Sequence, residues 1–453
     1  MEETRTLARY VAGATLEAVP PPVRHEAIRS ILNWVGCGVG GCRHEAIERA
    51  LAALKPFSGA QQASILGRPE QTDILNAALL NGMSSHVLDF DDTHLKTIIH
   101  PAGPVASGLL ALAEYRRCTG VEFLHAFILG VEVECRIGNA VYPAHYEIGW
   151  HITGTAGVFG AAAACGKILG LNEQQMTWAL GIAGTQSSGF REMFGTMCKP
   201  FHPGRAAQNG LASALLAEQG FTSSERVVEA PRGFAHVMST ERKFAEITGG
   251  LGNSFEISLN TYKPFACGIV IHPAIDGCLQ LREEFGLSGE EIERIHLRVA
   301  PLVLELTGKR TPQVGLEGKF SVYHSVAAAI LYGAAGEKEY SDSAVKNPKV
   351  IALRDRVNAS VDASIRDDEA YVSIHLKDGK ILQKHVAHAI GSLHKPMTDK
   401  DLEAKFQRLT SDILTREESR RLMDLCWNLE SSEDVASLAR ATVPGHPALS
   451  AAR

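Results

Sequence analysis

The chain has 453 residues, 45% of them hydrophobic and 21% charged, with a formal net charge of -6. That length suffices for two or three domains with real cores, and the charge balance excludes the basic footprint of a nucleic-acid binder. No apolar run reaches membrane-spanning length and the first residues are already charged, so a cytoplasmic protein without a membrane partner is expected. Nine scattered cysteines, with no CxxC pair, read as reduced, buried thiols.

In chain order, Pro20-Pro21-Pro22 ends a short first helix and starts a second, whose apolar residues from Val23 to Val35 recur at helical spacing. Gly36 to Gly41 is expected to break it. A helix around Ile47 to Leu54 follows, closed by Pro56 and Gly59. Thr72 is read as the N-cap of a helix from Asp73 that runs into a polar cluster. Pro104 to Tyr115 and Val121 to Val141 read as buried helices. The Gly- and Ala-rich segment from Gly154 belongs at the centre of a bundle, where small residues let helices approach closely. Asn172 with Gln175 resembles a capping box. CKPFHPGR reads as a two-proline loop before another helix, and nothing before Pro264 reads as a strand.

From Cys267 the grammar shifts to period-two alternation in IERIHLRVAPLVLEL and AYVSIHLKDGKILQKHVAHAI, with Asp378-Gly379 as a hairpin turn. Helical segments intervene at Ser321 to Leu331 and Val345 to Val357, and helix returns from Thr398. The expected architecture is mainly α. Residues 1-265 and 397-453 form a large all-α domain, and residues 266-396 a smaller α+β lid with an antiparallel sheet. The tail after Pro444 reads as loose.

Chemistry concentrates in HVLDFDDTHLKTIIH, residues 86 to 100, where Asp89, Asp91, Asp92 and Thr93 stand among His86, His94 and His100. On a helix Asp89 and Thr93 share a face. Such a cluster between core segments is costly to bury unless its groups pair with each other or with a ligand. The competing reading is a polar helix end whose aspartates cap backbone. Ligand spacing fits neither zinc nor calcium, so no metal is expected, and no Rossmann, Walker, nucleophile-elbow or HExxH signature is present. A second cluster holds His151, Lys199 and His202. A desolvated Lys199 is a candidate proton carrier. Tyr146 offers a phenol, and Arg205, Lys309, Arg310 and Lys319 are candidate partners for carboxylates. Each of these is equally readable as a surface charge or a satisfied core group.

The patterns DFDDTH…HP, GWHITGTAGVFGAAAACGKILGL, KPFHPGRAAQNG, KPFACG…HPAID and GKFSVYHSVAAAIL, in this order from about residue 5 to about residue 440, resemble the MmgE/PrpD family. The resemblance implies a helical domain built from both chain ends, a smaller lid and a homodimer. It also implies turnover of small di- or tricarboxylates with neither metal nor organic cofactor. Site positions matching the family's are Asp89, Thr93, His100, His151 and Lys199. Two positions depart from it. The third residue after Ser321 is His324 where relatives carry tyrosine, and Ile269 stands where many carry arginine. The combination is most similar to the family's epimerases of iminodisuccinate-like acids. Lys199 and Tyr146 would then flank the carbon that exchanges its proton. Asp89, Thr93, His100 and His151 would hold the carboxylates, with His202, Arg205, Lys309, Arg310 and His324 as further binding groups. The alternative is a dehydratase- or decarboxylase-like lyase of a citrate-type acid.

Overall fold

Small residues set the spacing of the helical part. Helix Ile152–Ile168 is almost entirely buried and packs against Gly120–Val141, Ala102–Tyr115 and Cys198–Glu218. A Cβ added at Gly160 would lie 2.8 Å from the Gly130 carbonyl oxygen, so these helices touch backbone to backbone. The segment from Gly154 therefore occupies the bundle centre, as its composition predicts. In the computed structural model the described residues are 2–445, and the tail beyond Gly445, expected to be loose, lies outside them.

The glycines at 36 to 41 do not break the second helix, which runs Pro21–Gly41. They are there for contact: a Cβ at Gly41 would sit 2.1 Å from the Ser84 carbonyl oxygen. The prolines of CKPFHPGR likewise lie inside a helix, Cys198–Glu218, and not in a loop. Pro200 falls in the first turn, where its missing N–H is no loss, and Pro203 forgoes one helical bond. Three residues apart on this helix, Lys199 and His202 come from neighbouring turns. Gly204 on it meets helix Ile74–His86 so closely that a Cβ would lie 2.3 Å from the Leu79 carbonyl oxygen. Gly204→Ala is expected to lower unfolding free energy by about 1–3 kcal/mol through overpacking, read as a lower urea midpoint at unchanged slope.

Helix Ile74–His86 is capped by Asp73, one residue later than expected, its carboxylate accepting from the Asn76 N–H at 2.9 Å. The helix ends at His86, so Asp89 and Thr93 do not share a helical face. Asp92–His94 instead forms a short antiparallel pair with Asn260–Tyr262, a strand pairing that the reading of the first half missed. The capping box of Asn172 and Gln175 is present.

The smaller α+β part is built on a four-stranded sheet. Strand Ile292–Val299 lies between Val357–Val361, to which it is parallel, and Ala370–Leu376, to which it is antiparallel. The latter pairs through the Asp378-Gly379 turn with Ile381–Val386. The sheet is thus mixed, because helix Pro348–Arg354 carries the chain across before Val357. Gly379 takes φ +88°, the conformation the turn requires. Ile292, Ile295, Leu297 and Val299 are buried. APLVLEL does not continue the strand, since Pro301 opens helix Pro301–Thr307. The core of this part also takes in Cys37, Phe90 and Leu409 from the helical part. Helix Asp399–Thr410, opened by the Thr398 and Asp401 capping box, packs against Pro21–Gly41. The fold is mainly α with a smaller α+β region. Among the described residues no helix is long and apolar enough to cross a membrane.

Candidate active site

The backbone after His86 turns sharply to reach the strand pair. Asp89 adopts φ +50°, and Ile98, a β-branched residue, φ +60°. Such conformations persist only where packing holds them, and they cluster at functional sites. The pairing of Asp92–His94 with Asn260–Tyr262 brings the next residue, Lys263, onto Asp89. Its Nζ is 2.9 Å from Oδ1 and 3.2 Å from the Asp89 carbonyl oxygen. From the other side Lys199 Nζ reaches the same Oδ1 at 2.6 Å. Burial alone would raise the Asp89 carboxyl, but the two ammonium groups hold it well below the usual carboxylate range.

The lysines respond differently. Burial outweighs Asp89 at Lys199 and lowers its ammonium, whereas at Lys263 the attraction of Asp89 and Asp91 overcomes burial and raises it. Lys199 is thus the readier of the two to give up a proton. Its ammonium also lies 5.3 Å and 5.2 Å from the ring centres of Phe194 and Phe320.

His100 Nδ1 is 2.7 Å from the Asp92 carbonyl oxygen and 3.3 Å from Thr93 Oγ1. A carbonyl only accepts, so Nδ1 carries the hydrogen and Nε2 a bare lone pair in the neutral ring. Burial pushes this imidazole down to about 3. His151 immediately precedes helix Ile152–Ile168, with its Nδ1 2.9 Å from His202 Nδ1. Burial, then His202 and Lys199, hold His151 well below its ordinary value. Tyr146, on the short helix Ala144–Ile148, lies under the Arg191 guanidinium at 4.3 Å. Burial raises its phenol, so it keeps its proton at neutral pH.

Asp89, His100, Tyr146, His151, Lys199 and Lys263 line one cavity of about 30 Å³, closed by Ile98, Phe194, Ile269, Val270, Leu306 and Phe320. A larger outer cavity of about 360 Å³ shares Ile98, Ile269 and Val270 with it. Five of the residues singled out by sequence therefore converge. Thr93 and His202 stand behind the lining, against His100 and His151. The other four do not come to the cavity, which corrects their reading as binding groups. Arg205 is exposed and donates to Gln208, and Lys309 pairs with Glu317 at 2.6 Å on the surface. Arg310 covers the Tyr323 ring. His324 is buried with Nε2 donating to the Glu339 carbonyl at 2.8 Å, a structural bond near the start of its helix.

Lys263 was missed as a site residue: KPF occurs at 55–57, 199–201 and 263–265, and the exposed first copy shows that the tripeptide alone does not mark a site. Two further buried lysines brace the backbone on either side of Asp89 and Lys263. Lys319 Nζ donates to the carbonyls of Leu88 and Ala266 at 2.6 and 2.8 Å, and burial brings it to about 8. Lys405, on helix Asp399–Thr410, donates to Asn33 Oδ1 and to the carbonyls of Phe90 and Lys263 at 2.7, 2.6 and 2.9 Å. It ties together the two strands of chain that carry Asp89 and Lys263. Lys405→Met is expected to lower unfolding free energy by about 1–3 kcal/mol, by leaving buried carbonyls unpaired. Denaturant melts and faster amide exchange around Phe90 would register the loss.

This convergence of distant segments on one cavity coincides with sequence likeness over nearly the whole chain. Residues 5–247 match the MmgE/PrpD N-terminal domain and residues 265–429 the MmgE/PrpD C-terminal domain. The chain belongs to the MmgE/PrpD family. It is 27% identical to the cis-aconitate decarboxylase-like protein oryM of Aspergillus oryzae, over 96% of both chains. To cis-aconitate decarboxylase of Homo sapiens it is 27% identical, over 96% of this chain and 93% of the relative. To 2-methylcitrate dehydratase of Escherichia coli it is 21% identical, over 75% and 73%. The relatives are enzymes named for removing carbon dioxide or water. That overturns the expectation of an isomerase, an epimerase of iminodisuccinate-like acids. Of the two departures, His324 lies outside the cavity, whereas Ile269 lies in its wall.

Proposed function

We propose that this protein is a lyase that removes carbon dioxide from a small unsaturated acid of the citrate type, with cis-aconitate the first substrate to test. The observation that carries the reading is the division of the cavity into a cationic end, at Lys199 and Lys263, and an apolar wall, at Ile98, Ile269, Val270, Leu306, Phe194 and Phe320. Carboxylates that stay on the product are held at the lysines. The departing carboxylate lies against the apolar wall, where poor solvation favours its conversion to neutral carbon dioxide. Loss of water would instead need an acid aimed at a hydroxyl, which the apolar wall lacks.

The step balances with one proton. The bond to the departing carboxylate breaks, its electron pair becomes a new carbon–carbon double bond, and the old double bond shifts its pair to the far carbon. That carbon takes a proton from His100 Nε2. In the unliganded site the ring is neutral, and a polyanion beside it raises its proton affinity, so substrate and proton bind together. Tyr146 donates a hydrogen bond to a bound carboxylate. Because about 30 Å³ holds no more than one water molecule, the side chains common to the inner and outer cavities, Ile98, Ile269 and Val270, part to admit the acid.

The test is incubation with cis-aconitate and, separately, 2-methylcitrate in heavy water, followed by carbon NMR and mass spectrometry. Carbon dioxide release with one deuterium in the product from cis-aconitate supports the proposal. Water loss from 2-methylcitrate alone, or deuterium uptake without any mass loss, overturns it.

A further inference from the structure

We propose that His86, His100 and His151 form a binding site for a divalent transition-metal ion of the zinc class, and that its occupation blocks turnover. One nitrogen from each ring lies within 4.8 Å of the other two, and all three residues are buried. Their hydrogen bonds decide which nitrogens are free. His86 Nδ1 is 2.6 Å from Asp91 Oδ2, so it donates to the carboxylate and leaves Nε2 bare. That Nε2 is buried with no hydrogen-bond partner among the described residues. His100 donates through Nδ1 to the Asp92 carbonyl, which leaves its Nε2 bare as well. At His151 Nδ1 is engaged by His202, so the remaining ligand atom is again Nε2.

Three imidazoles with an open fourth position are a zinc ligand set, with nitrogens about 3.3 Å apart when bound tetrahedrally at 2.0–2.1 Å. Binding draws the three nitrogens from the present spacing to that value. A carboxylate behind a ligating ring, as Asp91 stands behind His86, orients the ring and raises its basicity. The ammonium groups of Lys199 and Lys263 share the cavity and repel a dication, so binding is reversible and weaker than in a dedicated zinc enzyme. The ion would occupy His100 Nε2, the atom that the lyase reading gives to proton transfer. Only the blocking half of the proposal rests on that reading.

The probe is Co²⁺ added to chelator-treated full-length protein without any carboxylic acid, since such acids themselves bind metals. A visible d–d band that saturates at one ion per chain and is displaced by Zn²⁺ is expected. In His86→Gln and in His151→Gln, each checked for fold by circular dichroism, affinity should fall at least about tenfold. His388→Ala with His394→Ala, which removes a surface histidine pair with ring centres 4.0 Å apart, should leave the band unchanged. Absence of a one-to-one band in the wild type, or a band that survives the His86 and His151 changes, overturns the site. Zn²⁺ should abolish turnover at the same stoichiometry, reversed by chelator. Turnover that persists with the band saturated overturns the blocking half alone. The spectrum decides the site even if no acid is turned over, which separates this proposal from the lyase reading.

Discussion

His100→Gln is expected to lower kcat for decarboxylation by about 10²–10⁴-fold, the usual worth of a positioned proton donor, while KM moves far less. The substitution isolates the proton. A glutamine amide keeps a donor for the Asp92 carbonyl, the bond that fixes the imidazole at 2.7 Å, so the turn from Asp92 to Pro101 has no cause to rearrange. The carboxylate-binding end, at Lys199 and Lys263, is untouched. What is lost is Nε2, the one ring atom free to carry a proton towards the cavity. A variant with raised KM and undiminished kcat would assign His100 to substrate binding and transfer the proton's source to Lys199, whose ammonium burial makes the more acidic of the lysine pair.

Asp89→Asn is expected to cost about 3–5 kcal/mol of stability at neutral pH, because it leaves two buried ammonium groups without their counter-charge. Asparagine tolerates the φ of +50° at this position, so the effect measures charge and not backbone strain. The pH dependence carries the sign. Asp89 in the folded protein titrates well below its unfolded value, near 3.9 for an unfolded aspartate. Its contribution is therefore complete above that unfolded value and is lost as the pH falls through the folded one. The stability gap between wild type and Asp89→Asn should be constant from neutral pH to about 5 and narrow below about 4, as urea unfolding at a series of pH values would show. A gap independent of pH down to the acid limit would mean that Asp89 does not bear the charge that holds Lys199 and Lys263 in place.

Much of this site was legible from residue order because its chemistry is locally dense. Asp89, His100, His151 and Lys199 stand in short polar runs between apolar helices, and burying them together demands partners. Arg205, Lys309 and Arg310 were misread for a reason of the same kind. A cation two or three residues from a motif looks available to a substrate, yet Arg205 follows the curve of its helix out to solvent and Lys309 finds Glu317. Lys263 escaped notice because its partner lies 174 residues away, and only the pairing of Asp92–His94 with Asn260–Tyr262 joins them.

The sequence by itself determined helices such as Ala102–Tyr115 and Gly120–Val141, the cap at Asn172, and where the Asp378-Gly379 turn folds a hairpin, since each rests on neighbours a few residues apart. Tertiary structure alone decided that Gly41 serves a helix contact instead of a helix end, and that the sheet is mixed. It also decided that two buried lysines from distant segments, Lys199 and Lys263, pair with one aspartate. Those outcomes turn on which surfaces meet, and a meeting of distant surfaces leaves no period in the order of residues.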